Sequence, residues 1–189
     1  MPKKKKKTEA AVCIVESLNF LDEDTRKEGE IISRTLTMSG KDSHYSYVRT
    51  TAELKAFMWE FGNSKFRYLH VSCHGNVDAF FVTTGEMTGK KFASILAPHV
   101  RGRRIFLSTC LATDSTFANA LLPTSGCLSI LGPVGEIDPD DAAIFWTAFY
   151  HLRFKHNPNS MKHSDVEKTA KLEVRITCRS LHGCSQDGF

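Results

Sequence analysis

No apolar run in this chain approaches the roughly 18–20 residues that a membrane-crossing helix needs, so no membrane span is expected. The lysines near the N-terminus have no apolar stretch behind them, which argues against a secretory signal. The six cysteines (Cys13, Cys73, Cys110, Cys127, Cys178 and Cys184) form no Cys-x-x-Cys pair, and a structural zinc site is not expected. Several of them sit in apolar, strand-like runs, where a thiol acts as a small buried hydrophobe. Without secretion no disulfides are expected either, and the chain reads as a cytoplasmic protein. No Gly-x-Gly-x-x-Gly fingerprint or solenoid repeat is present, and no cofactor is expected.

Excess charge of one sign is also missing once its source is located. The 189 residues carry 25 Lys plus Arg against 21 Asp plus Glu, but five of those lysines are the run Lys3 to Lys7. Without that run the count is 20 against 21, so the core has no basic footprint for nucleic acid. Residues 1–9 read as a disordered tail. It serves solubility, contact with a phosphate surface or, in a eukaryote, nuclear import. Residues 10–189, with a chain-wide 41% hydrophobic fraction, suit one globular domain.

Apolar runs and amphipathic segments alternate along the domain. Ala10 to Val15 is a continuous apolar run, as in a strand covered on both faces. Asp22 to Glu30 is charged and reads as a loop, and Tyr45 to Val48 as a second strand. Thr50 with Glu53 forms a capping box opening a helix that buries Leu54, Phe57, Met58 and Phe61. Phe66 to Ser72 is a strand ending in Cys73-His74-Gly75, and Ala79 to Val82 a small hairpin strand. A helix from about Thr88 to Leu96 is stopped by Pro98. Ile105 to Thr109 is a strand ending at Cys110. A short helix follows with Phe117, Ala118, Leu121 and Leu122 inward, then a strand from Cys127 to Leu131. Asp138 is placed as an N-cap before Pro139, opening a helix that buries Ala142, Phe145, Trp146, Phe149 and Leu152. Ser164 with Glu167 marks a final helix start. The alternation predicts an α/β fold, a mainly parallel central sheet with helices on both faces.

In open parallel sheets functional groups gather at the carboxyl ends of strands. His74 and Cys110 both stand just past such ends, on consecutive strands joined by one helix. An imidazole and a thiol so placed form a nucleophile-and-base pair. A helix beginning near Asp114 or Ser115 points its positive end toward Cys110. Gly75 permits close approach of a substrate, and its N–H suits an oxyanion. Against this, a cysteine after a strand also serves as buried filler. Cys73 should point into the core, because strand side chains alternate. The loop Arg101-Gly102-Arg103-Arg104 lies at the opposite edge and reads as a solvated turn.

The strand Tyr68-Leu69-His70-Val71-Ser72-Cys73-His74-Gly75 resembles the first motif of caspase-like cysteine peptidases, and Arg104 to Cys110 resembles their second. The likeness is to the CHAT-domain type, joined by Phe117 to Leu122, by Leu128 to Pro133 and by the aromatic helix ending Phe145 to Tyr150. This resemblance implies a caspase-like fold and peptide-bond hydrolysis. It implies Cys110 as nucleophile, His74 as general base, and N–H groups of Gly75 and Cys110 as oxyanion donors. Its partners would be a protein or peptide substrate and a regulatory protein, in a defence or cell-death role. The same fold used as a non-catalytic interaction module is the alternative. Asp114, Glu136 and Asp138 are candidate acids for a substrate pocket, each also explicable as helix-cap chemistry.

Overall fold

The computed structural model describes residues 8–76, 78–110, 116–133 and 135–177. The Lys3 to Lys7 run, Asp114, Cys178 and Cys184 lie outside the described residues. In chain order the elements are β1 (Glu9–Ser17), α1 (Glu28–Met38), β2 (Ser43–Tyr47), α2 (Thr51–Asn63), β3 (Phe66–Cys73), β4 (Ala79–Val82), β5 (Gly85–Thr88), α3 (Gly89–Leu96), β6 (Arg104–Ser108), α4 (Thr116–Ser125), β7 (Ser129–Leu131), α5 (Pro139–His156) and α6 (His163–Thr177). Five strands pair in parallel in the order β2-β1-β3-β6-β7, and β4 and β5 form a separate antiparallel hairpin. The fold is therefore the α/β arrangement that the alternation predicts.

Helices cover both faces, and strand alternation decides what each face receives. Leu69, Val71 and Cys73 of β3 pack with Leu54 and Phe57 of α2, Phe92 of α3 and Phe117 of α4. Tyr68 of β3 and Phe106 of β6 pack with Ile32 and Leu36 of α1, Trp146 and Tyr150 of α5, and Val166 of α6. The sequence-level stripe Leu54, Phe57, Met58 and Phe61 is buried throughout. Its capping box is also formed. Thr50 Oγ1 accepts from Glu53 N at 3.1 Å, and Glu53 Oε2 accepts from Thr50 N at 2.9 Å.

Several expectations need correction. The charged segment from Asp22 does not stay a loop to Glu30, because α1 begins at Glu28. Glu28 is buried and faces His70, and the Gly29 N–H donates to buried Glu16, so charge there marks an interior rather than solvent. Leu122 is 43% exposed. The inward stripe of α4 is Phe117 and Leu121, four residues apart, and Leu122 stands about 100° round the helix. On α5, Leu152 is half-buried while Arg153 is buried, its guanidinium reaching Thr169 and Asp165 of α6.

The Arg101 to Arg104 turn is not wholly solvated. Arg103 is buried, stacks 4.1 Å over the Phe61 ring and donates to the carbonyls of Phe61, Gly62, Ser64 and Phe66. Phe61 and Gly62 lie in the last turn of α2, where carbonyls lack helical partners, so one guanidinium satisfies a helix end. At the N-terminus β1 starts at Glu9, inside the segment read as tail. Glu9 N donates to Lys65 O, and Arg67 holds the Thr8 carbonyl.

Candidate active site

Register sets the strands that lead to the two predicted chemical groups side by side. β3 and β6 pair from Tyr68↔Arg104 to Ser72↔Ser108, a constant offset. One residue further on, Cys73 Sγ lies 3.4 Å from Thr109 Oγ1, so the offset holds past the strand ends. Continued one residue further, the same offset would pair His74 with Cys110, on chains about 4.8 Å apart. Gly75 allows that approach. A Cβ on it would overlap Thr109 Cγ2 and stand 3.5 Å from the Cys110 carbonyl oxygen. Gly75 also pairs with Phe80 in a bridge whose bonds run from Asn76 N to Ala79 O and from Phe81 N to His74 O. The Gly75 N–H takes no part in that pattern.

Alternation turns His74 and Cys110 toward the α1 and α5 side, the face of Tyr68, His70 and Phe106. There each meets a loop. His74 Nε2 lies 3.0 Å from Asp22 Oδ2 and 3.3 Å from Asn19 Nδ2, both in the turn after β1. Asn19 Oδ1 accepts from the N–H groups of Leu21 and Asp22, and its Nδ2 donates to Asp22 Oδ2 at 2.6 Å. Arg26 Nε stands 3.3 Å from Asp22 Oδ1. Neither Asn19 nor Asp22 was singled out from the sequence. The available signal was position, since the loop after β1 ends at the same sheet edge as His74.

Cys110 is half-buried, and its thiol donates to the carbonyl of Ile137 at 3.6 Å. Cys110 and His74 are not hydrogen-bonded to each other. Cys73 is a different thiol altogether. It is buried beside Phe80 and Phe92, and burial pushes its pKa up to about 12, which keeps it protonated at neutral pH. It belongs to the core, as its place in the alternation predicts.

Beneath the site lies a buried polar layer. Glu16 of β1 accepts hydrogen bonds from Gly29 N and Ser72 Oγ on one oxygen and from Tyr45 Oη on the other. Burial pushes its carboxyl up to about 7 against the pull of those donors. His70 is fully buried, with Nδ1 3.1 Å from Tyr150 Oη and Nε2 3.6 Å from Glu28 Oε1. Glu16 and Glu28 therefore bracket the segment that carries Asn19 and Asp22, and tie both its ends into the core.

Of the candidate pocket acids, Asp114 lies outside the described residues. Glu136 and Asp138 are exposed and flank Ile137, the residue whose carbonyl receives the Cys110 thiol. Asp138 occupies the N-cap of α5 with Pro139 next, but its side chain makes no capping hydrogen bond. It lines instead a cleft of about 960 Å³ between α1 and α5, together with Arg26, Asp140 and Ile144. A second cleft, about 450 Å³, opens beside His74 and is lined by Asn19, Phe81, Thr83 and Glu86.

Among the described residues no group of three or more His, Cys, Asp or Glu side chains is placed to hold a metal ion. Among them, too, no helix is long and apolar enough to cross a membrane. No protein-family model matches the chain, and no curated protein matches it with significance.

Proposed function

We propose that this chain is a caspase-like cysteine endopeptidase of the CHAT type, with Cys110 as nucleophile and His74 as general base. The observation that carries the reading is the β3–β6 register, whose constant offset, continued past the strand ends, would pair His74 with Cys110. His74 takes the thiol proton and the sulfur bonds to the scissile carbonyl carbon. The carbon–nitrogen bond then breaks as the amine leaves with the proton that His74 returns. Water, activated by the same imidazole, releases the acid from the thioester. The N–H groups of Gly75 and Cys110 lie at the same strand tips and suit the oxyanion. Glu136 and Asp138 flank the Cys110 contact, so the side chain accepted there is basic.

A second reading rests on one contact. The Cys110 thiol is spent on Ile137 rather than on His74, as in a caspase-like module that binds a partner without cleaving it. Under the peptidase reading, substrate or a regulatory protein turns the thiol from that carbonyl to the imidazole.

The deciding experiment is cleavage of a mixed peptide library by the full chain, followed by mass spectrometry. Wild type should cut, and Cys110→Ala and His74→Ala should each abolish cutting with the fold intact. Undiminished cleavage by Cys110→Ala would remove the proposal, and an inert wild type that still binds a partner would favour the second reading.

A further inference from the structure

The turn after β1 holds His74 by the ring nitrogen farther from the backbone, and that contact selects what the other nitrogen can do. An ionised carboxylate accepts hydrogen bonds and donates none. The 3.0 Å contact to His74 Nε2 is therefore made by an N–H on the ring, donated to Asp22 Oδ2. The Asn19 amide nitrogen also stands near Nε2, but at 3.3 Å, and the shorter 3.0 Å contact there is to the carboxylate. Asn19 Oδ1 accepts two backbone N–H groups, which fixes the amide's orientation, and its Nδ2 donates to Asp22 at 2.6 Å. Arg26 occupies the other carboxylate oxygen. With the proton on Nε2, Nδ1 of a neutral ring is the bare acceptor.

Sheet order decides where that acceptor is needed. β3 lies between β1 and β6, with the Asn19–Asp22 turn on the β1 side and Cys110 on the β6 side. Nε2 is engaged on the first side, and Nδ1 makes no hydrogen bond among the described residues. From this we infer that Asp22, held by Asn19 and Arg26, is a positioning residue. It fixes His74 as the Nε2–H tautomer and leaves Nδ1 to take the Cys110 proton. The site is then a relay of carboxylate, imidazole and thiol drawn from the ends of β1, β3 and β6. As imidazolium forms, the Asp22 charge 3.0 Å away also stabilises it.

The catalytic consequence rests on the peptidase reading, whereas the tautomer rests on the contacts alone, so the test has two arms. In the first, the full chain is labelled with ¹⁵N-histidine and the His74 ring signals are assigned with His74→Ala. Wild type should give one fully protonated and one fully bare ring nitrogen, with the proton on Nε2. Asp22→Ala should give an averaged mixture of both tautomers. An Nδ1–H ring in wild type overturns the inference without recourse to any variant, and so do identical ring signals in a folded Asp22→Ala.

In the second arm, Asp22→Ala should lower kcat on the order of 10²- to 10⁴-fold with KM little changed, the pattern of a lost orienting carboxylate. An unchanged kcat in Asp22→Ala overturns the positioning role. A wild type without peptidase activity but with the Nε2–H ring retires the peptidase reading and leaves the assignment of Asp22 standing.

Discussion

The two faces of the central sheet are built from different chemistry. Under α2, α3 and α4 the packing is mainly apolar, with Phe80, Phe92 and Phe117 in mutual ring contact at 4.3–5.1 Å, and the buried charge there is Arg103 at the end of α2. Under α1, α5 and α6 the aromatics Tyr68, Phe106, Trp146 and Tyr150 share the interior with buried Glu16, Glu28, His70, Ser72 and Arg153. Cys73 faces the first side and Cys110 turns to the second. The first side supplies most of its stability by water exclusion, which needs no particular partner geometry. The second buries polar groups that need partners. Glu16 finds them in Gly29 N, Tyr45 and Ser72, whereas His70 Nε2, Trp146 Nε1 and Arg153 Nε have no hydrogen-bond partner among the described residues. The candidate site stands on the polar side, where the Gly29 N–H bond to buried Glu16 anchors the end of the segment that follows β1.

The largest expected effect separates the two thiols that the faces define. Cys110→Ser should abolish peptide cleavage with little change in melting temperature, because nucleophile and base act as a unit. Cys73→Ser should do the reverse, costing about 1–3 kcal/mol of stability for a hydroxyl in a buried slot while cleavage persists. Iodoacetamide at neutral pH should label Cys110 before Cys73, which is buried and held protonated. Faster labelling of Cys73, read by mass spectrometry, would erase the distinction.

Next in size is the apolar face itself. Phe117 is fully buried against Phe80 and Phe92. Phe117→Ala should cost about 3–5 kcal/mol in urea unfolding, the range for a large cavity. A loss under 1 kcal/mol would mean that this core collapses to fill the gap.

On the polar face the expected signature is a pH dependence. Burial raises the Glu16 carboxyl from about 4.5 to about 7, so between those values the folded chain holds a proton that the unfolded chain releases. Stability from this group is thus present in full below about pH 4.5 and is lost as pH rises through about 7. The loss amounts to roughly 3 kcal/mol at most. Glu16→Gln keeps the shape and removes the titration, so its unfolding free energy should lack that decline. Parallel wild-type and variant curves from pH 4 to about 8 would show that Glu16 does not titrate in this window.

The smallest effect compares two helix starts. Thr50 closes a capping box, and Thr50→Ala should cost about 1 kcal/mol. Asp138 sits at an N-cap without a capping bond, so Asp138→Ala should cost about half of that or less. If Asp138→Ala proves the more damaging to stability, its carboxylate caps α5 in solution and is not free for a substrate.

Elements with a local signature were legible in the sequence. The capping box of α2, its four buried apolar positions and strands over Phe66 to Ser72 and Ile105 to Ser108 follow from spacing alone. Pairing β3 with β6 followed from their being joined through one helix, and that placed His74 near Cys110. Other features had no local signature. Glu28 opens α1 from the interior beside His70 while the Gly29 N–H donates to Glu16, and neither contact is written in the neighbouring residues. Arg103 sits in a basic turn, and nothing nearby in sequence foretells that Phe61 and Gly62 will offer it their carbonyls.

Period and capping act over a few neighbours, so the main elements and their alternation are written in the sequence, while strand ends shift by one or two residues, as where β1 runs on to Ser17. The company each strand end keeps comes from tertiary packing. The sheet order places β1 beside β3, and that is what brings Asp22 within 3.0 Å of an imidazole 52 residues away. It also places Ile137, rather than His74, at the Cys110 thiol, through a loop that follows β7. Contacts of this kind depend on how whole elements pack, and no window of adjacent residues encodes that packing.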